Sequence, residues 1–288
     1  MAGSSLVRRV SMISGCVLVL TGCASVEKQA PEPTPTSISR QLKTERIRID
    51  GDQVFLDGKK VGRLNPDASP EDRRKHFGLP ERLPNGSSAY AVTDLGNGLL
   101  FLSGGYEPEK EGSLPRASKK TFFWHVSDKK LEAGPDMSCP RVEHNITQLP
   151  TGKWLISGGK ALTAQGSLAK AVDILDPKSK TIVAGGELKV DRIYHSVIPL
   201  DGDHVLIAGG QTDLGPSPNG METKSVELYE VNTRSSLELG ELCRTRQSAT
   251  LLRLDGREVL LVGGYNSDSE RGSSVLLPEI ITLPLTRR

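Results

Sequence analysis

Three arginines share one register of this chain. Arg141, Arg192 and Arg246 each stand eighteen residues before the second glycine of a Gly-Gly pair, and His144 and His195 follow the first two of them by three positions. A guanidinium offers a planar fork of donors matched to a carboxylate. Repeated arginines with adjacent imidazoles are therefore candidates for holding an anionic ligand, such as a carboxylate-bearing sugar or the acidic tip of a partner protein. A scaffold would repeat the same Arg-x-x-His spacing to satisfy neighbouring backbone groups. Asp173, Glu227 and Glu279 recur on a second register; they are candidate partners for these arginines, and a catalytic pair drawn from them is the sharper alternative. Cys139 and Cys243 also fall at nearly equivalent positions. An oxidising compartment would permit a disulfide between them, but sequence does not fix their separation.

These side chains need elements to hold them, and the glycines mark where the elements are. Apolar runs close on Gly104-Gly105, Gly158-Gly159, Gly209-Gly210 and Gly263-Gly264, at intervals of 54, 51 and 54 residues. Before each run lies a turn signal, Gly96-Asn97-Gly98, Pro150-Thr151-Gly152, Asp201-Gly202-Asp203 or Asp255-Gly256-Arg257, as expected between hairpin strands. Further strand-like segments start at Thr121, Val172, Val226 and Pro278. Runs such as VLIA and VLLV are apolar at successive positions, which suits strands covered on both faces. The fourth unit ends near the C-terminus without an outermost strand. Arg46–Leu64 alternates around Asp-Gly turns and is expected to supply closing strands or a degenerate fifth repeat unit, while Ser69–Gly78 reads as a short helix with Ser69 as N-cap.

Taken together, an arginine and histidine leading into one strand, a second strand ending in Gly-Gly and a third bearing an acid resemble the kelch repeat, at a period fitting that family. The resemblance covers Ser87–Arg288. It implies an all-β, kelch-type β-propeller with four recognisable blades, and a fifth blade or a ring closure contributed by the N-terminal strands. In such a ring Arg141, Arg192 and Arg246 would surround the mouth of a channel. The long loops after the glycine pairs would form the functional face.

The N-terminus gives an address. Arg8 and Arg9 precede an apolar run, Val10–Leu20, too short to span a bilayer, as in a secretory signal. Leu20-Thr21-Gly22-Cys23 resembles the lipobox of bacterial lipoproteins. That resemblance implies cleavage before Cys23, lipid on its thiol and, with Ala24 next, an outer-membrane destination. The domain reading is thus a signal peptide at 1–22, a Pro-rich tether at 23–40, N-terminal strands and a short helix at 41–86, and the propeller at 87–288.

Composition excludes several classes. At 36% hydrophobic and 25% charged residues the chain is neither disordered nor a polytopic membrane protein. The net charge is +2, and without Arg8 and Arg9 acids and bases balance, which argues against nonspecific nucleic-acid binding. No HExxH, GxSxG, P-loop or paired CxxC occurs, and neither metal nor cofactor is expected. The expected function is a lipid-anchored module, in the periplasm or at the cell surface, that binds an envelope protein or anionic small molecule and has no evident catalysis. The alternative is a carbohydrate-active kelch enzyme similar to the sialic acid mutarotases. A copper-radical site like that of the galactose oxidases finds no matching cysteine, tyrosine and histidine set.

Overall fold

The structure is a computed structural model that describes residues 36–64, 70–108, 115–163, 166–212, 221–254, 256–266 and 277–284. Each Gly-Gly run forms the second strand of a small antiparallel sheet. The first repeat sheet holds Ala91–Asp94, Leu99–Ser103, Thr121–His125 and Lys130–Ala133; the second holds Asn145–Gln148, Trp154–Ser157, Ala171–Asp176 and Thr181–Glu187. The third is built from Ser196–Pro199, His204–Ala208, Ser225–Glu230 and Ser235–Glu241. In the fourth, Gln247–Arg253, Glu258–Tyr265 and Glu279–Thr282 are completed by an N-terminal strand, Ser39–Gln41, paired antiparallel to Glu279–Thr282.

Local chemistry explains these elements. In the first sheet the hairpin between its opening strands turns through Gly96, Asn97 and Gly98 with φ of 87°, 53° and 71°, a left-handed stretch that small or amide side chains accept. In the third sheet the Asp201 carboxylate accepts hydrogen bonds from the backbone N–H groups of Asp203 and His204, closing an Asx turn. The helix forms at Pro70–Phe77 and stops at Gly78 with φ of 60°, where the N–H of Leu79 reaches back to the carbonyl of Arg74. Its expected N-cap, Ser69, lies outside the described residues.

Second strands are buried on both faces, as their unbroken apolar runs require, and packing between sheets supplies the core. Phe101, Phe123, Met137, Ile156 and Leu175 join the first and second sheets. Leu155, Val172, Val205, Ile207 and Tyr229 join the second and third, and Leu206, Leu228, Leu251, Leu261 and Ile281 the third and fourth. Each such side chain contributes about 1.5–3 kcal/mol by leaving water.

The two ends of this series are covered differently. Phe77, Leu79 and Leu83, from the helix and the segment after it, pack on Tyr90, Leu100 and Leu102 of the first sheet. Ile47–Asp50, Gln53–Leu56 and Lys59–Arg63 form a separate three-stranded sheet whose Val54, Leu56 and Val61 pack against Leu260 and Val262 of the fourth. Arg46–Leu64 thus forms a separate covering sheet, neither closing strands nor a fifth blade, and the outer strand comes from Ser39–Gln41, which straddles the boundary read between tether and N-terminal strands.

The expectation of a kelch-type propeller is overturned by this topology. Among the described residues none of the sheets closes into a ring or barrel, and no buried cluster joins the N-terminal sheet to the first repeat sheet. The glycines mark the same break. A Cβ on Gly104, Gly158 or Gly209 would meet the carbonyl oxygen of the next repeat's Arg141, Arg192 or Arg246 at 2.1, 2.2 and 2.3 Å, whereas one on Gly263 would meet nothing within 4 Å among the described residues. What stands is an all-β body of several small antiparallel sheets, repeat-like in sequence and joined in series. The functional readings built on a propeller, binding module and sugar enzyme alike, lose their architectural basis with it. The family keywords fall too.

Candidate functional site

All three register arginines are buried, and each is used in the same way. Arg141 pairs with Asp173 at 2.7 Å and donates to the carbonyls of Gly158 and Ala171. Arg192 pairs with Glu227 and donates to the carbonyl of Gly209; Arg246 pairs with Glu279 at 3.0 Å and donates to the carbonyls of Gly263 and Leu277. Every guanidinium therefore ties the start of its repeat to the first glycine and the third-strand acid of that repeat. The acids in turn accept from the connection leading into their sheet: Asp173 from Ser138, Glu227 from the N–H groups of Lys189 and Val190, and Glu279 from the N–H of Cys243; Glu279 also accepts from the hydroxyl of Ser39 on the added N-terminal strand. Burial pushes the Asp173 carboxyl up and the Arg192 and Arg246 guanidiniums down, each opposed by its ion-pair partner.

The histidines belong to the joints between sheets. His144 Nε2 lies 2.8 Å from the Ser103 hydroxyl of the preceding sheet, and His195 Nε2 lies 2.9 Å from Ser157 Oγ. Burial, and secondarily the nearby guanidinium of Arg141 or Arg192, pushes both imidazoles down to about 3, so they are neutral at pH 7. At the next joint the corresponding residues are Ala208 and Ala249, and the hydrogen-bonded pair is replaced as a unit. Side chains so enclosed offer no open fork to an anion. Cys139 and Cys243 are both free thiols, with Cys243 Sγ donating to the Ser39 carbonyl at 3.1 Å. Cys23 lies outside the described residues, as do the signal segment and parts of the long loops after the glycine pairs. No group of three or more His, Cys, Asp or Glu among the described residues is placed to hold a metal ion.

The arrangement with accessible chemistry is one that the register argument did not single out. Two residues after each arginine, and after Ser87 at the same register of the first repeat, the chain makes one left-handed step, at Glu143, Tyr194, Ser248 and Ala89, with φ of 56°, 53°, 53° and 51°. Arg141 and His144 point inward on either side of Glu143, as Arg192 and His195 do around Tyr194, and this throws the intervening side chain outward. The residues just after the glycine pairs, among them Tyr106, Lys160 and Tyr265, bridge the same segments: Tyr106 with Ser88, Lys160 with Val142 and Tyr265 with Gln247.

Side chains from three of the repeats consequently meet on one face. The Tyr194 hydroxyl donates to Glu143 Oε2 at 2.6 Å, the Tyr106 hydroxyl approaches Glu143 Oε1 at 3.4 Å, and Lys160 Nζ pairs with Glu143 at 2.8 Å while standing 5.7 Å from the centre of the Tyr194 ring. Burial and then the Glu143 carboxylate push the phenols of Tyr106 and Tyr194 up, so both remain protonated donors. Tyr106 also lines an open cleft of ≈ 510 Å³ with Arg82, Ser88, Glu107 and Pro108. Tyr265, 45% exposed, is close enough to add to the electrostatic environment of Tyr194. In the sequence the only trace of this group is positional: it occupies the second residue after the arginine and the first after each glycine pair.

Comparison with protein-family models and with curated proteins gives no match for this chain.

Proposed function

We propose that the chain is a component of a bacterial cell envelope, held at a membrane by lipid on Cys23, whose β body is not catalytic. The observation that carries this reading is the order Arg8-Arg9, Val10–Leu20, Leu20-Thr21-Gly22-Cys23, in which a basic pair and a short apolar run lead to a small residue and a thiol. No helix among the described residues is long and apolar enough to cross a membrane, so attachment through the N-terminal lipid would carry the association. Two or more acyl chains, at about 0.8 kcal/mol per buried methylene, hold a protein at a surface stably. The first paired residue of the body, Ser37, follows Cys23 closely enough that even an extended chain spans no more than about 50 Å. The body would then sit beside the bilayer. In support of the non-catalytic part, the residues whose chemistry recurs through the repeats are enclosed: each arginine is paired with its acid, and each of the two histidines is bonded to a serine of the preceding sheet.

Metabolic labelling with a palmitate analogue in a bacterial host tests the anchor. Label and membrane association are expected for the unaltered chain and loss of both for Cys23→Ala; unchanged labelling of the variant would remove the proposal.

A further inference from the structure

The face formed by Tyr106, Glu143, Lys160, Tyr194 and Tyr265 has a composition that selects among ligands by charge. A cation would be drawn to the tyrosine rings and to Glu143, but Lys160 already holds that position, paired with the carboxylate and set against the Tyr194 ring. An anion would be drawn to Lys160, but Glu143 neutralises it. In the adjoining cleft Arg82 and Glu107 again bring one charge of each sign. Among the described residues the face is therefore polar, aromatic and electrically balanced, with the Tyr106 and Tyr194 hydroxyls gathered on Glu143 and the ring of Tyr265 partly exposed.

From this juxtaposition we infer that the face binds a neutral saccharide. A pyranose has one or two faces of C–H groups that lie flat on a phenol ring, and a rim of hydroxyls that both donate and accept. Tyrosine supplies an apolar face with a polar tip and loses few torsions on binding. Glu143 accepts from a ligand hydroxyl through the remaining lone pair of Oε1, and Lys160 and Arg82 donate. The open cleft beside Tyr106, lined also by Arg82, Ser88, Glu107 and Pro108, extends the polar surface next to this group. The left-handed backbone at Glu143 and Tyr194 is fixed by the buried residues on either side, so the side chains are held in place before any ligand arrives. This inference involves none of the register arginines and does not depend on the lipid anchor.

The test is calorimetric titration of the full chain, in a detergent without sugar groups, with neutral tetrasaccharides of glucose, galactose, mannose and N-acetylglucosamine, and with sialyllactose and choline as the anionic and cationic probes. Saturable binding of at least one neutral tetrasaccharide is expected, stronger than either charged probe. Tyr265→Ala should weaken it at least about tenfold without moving the melting temperature, because this ring is exposed. Glu143→Gln, which leaves Lys160 unpaired, should shift preference toward sialyllactose. Absence of binding to all four neutral probes at about 20 mM, tighter binding of sialyllactose or choline by the unaltered chain, or unchanged affinity in Tyr265→Ala would each overturn the inference.

Discussion

The first repeat sheet and the three that follow share strand order and hairpin turns but solve the same internal problem with different chemistry. Where the later sheets set an arginine against a third-strand acid, the first has Ser87 and Phe122, and Phe122 packs with Tyr90, Leu100 and Leu102 under the covering segment. Where the second and third repeats place His144 and His195, the first has Tyr90, whose hydroxyl donates to the Pro80 carbonyl. A histidine in those later repeats reaches the serine of the sheet before it. Tyr90 has no repeat sheet before it and reaches instead into the covering segment after the helix. The contrast shows that the Arg–acid pairs are one way of filling a sheet's interior, and that the tyrosine is the form the joint takes at the end of a series.

The largest expected effect separates breaking a buried pair from replacing it. Arg192 and Glu227 are both fully buried, and Arg192→Ala leaves Glu227 without its guanidinium. Removing one member of such a pair typically costs about 3–5 kcal/mol, whereas exchanging both for well-packed apolar groups is often close to neutral. Chemical denaturation should therefore show a loss of that order for Arg192→Ala and a smaller loss for Arg192→Ser combined with Glu227→Phe, the residues of the first sheet. A double variant as unstable as the single one would mean that the first sheet's solution cannot be transferred.

Strand positions, the number of repeat sheets and the absence of a fourth strand at the C-terminus were all legible in the sequence, because hydrophobic runs, turn residues and Gly-Gly pairs act locally. Closure was not. A repeat encodes a sheet and the contact with its neighbour, and both are the same in a ring and in an open series. What ends the series is carried by ordinary apolar residues outside the repeats, Phe77, Leu79 and Leu83 at one end and Val54, Leu56 and Val61 at the other, in the manner of capping units. Likewise Ser39–Gln41 has no pattern of its own. It becomes a strand because Glu279–Thr282 presents an unpaired edge, and Ser39 adds a 2.6 Å hydrogen bond to the buried Glu279. The arginines were found by their spacing, but their enclosure depends on the glycine carbonyls and acids that surround them, which spacing does not show.

A second contrast, between joints with a His–Ser pair and the joint with Ala208 and Ala249, should appear as pH dependence. His144 and His195 stay neutral in the fold down to about pH 3, while an unfolded imidazole takes up a proton near its ordinary value of 6.5. The unfolded state then binds more protons, so stability falls as pH drops from 6.5 toward 3. At pH 5 the loss is about 2 kcal/mol for each histidine. The combined change Ser103→Ala and His144→Ala, which copies the third joint, should roughly halve the decline between pH 6.5 and 5, read from denaturant midpoints at each pH. An undiminished decline would place the proton uptake elsewhere.

The smallest effect bears directly on whether the series is open. Gly209 and Gly263 have similar φ, 64° and 70°, so alanine at either position meets the same left-handed backbone cost of roughly 1–2 kcal/mol. Only at Gly209 does the new methyl also run into the Arg246 carbonyl, next to the hydrogen bond from the N–H of Gly210 to that same oxygen. Gly263 has free space among the described residues. Gly263→Ala should therefore cost no more than the backbone cost, and Gly209→Ala should cost clearly more, with loss of cooperativity between the third and fourth sheets. In a closed ring a carbonyl would lie over Gly263 as it does over the other three, and the two substitutions would be equally severe. Equal losses would thus restore closure, and the difference between them measures how far the fourth sheet stands apart from its predecessors.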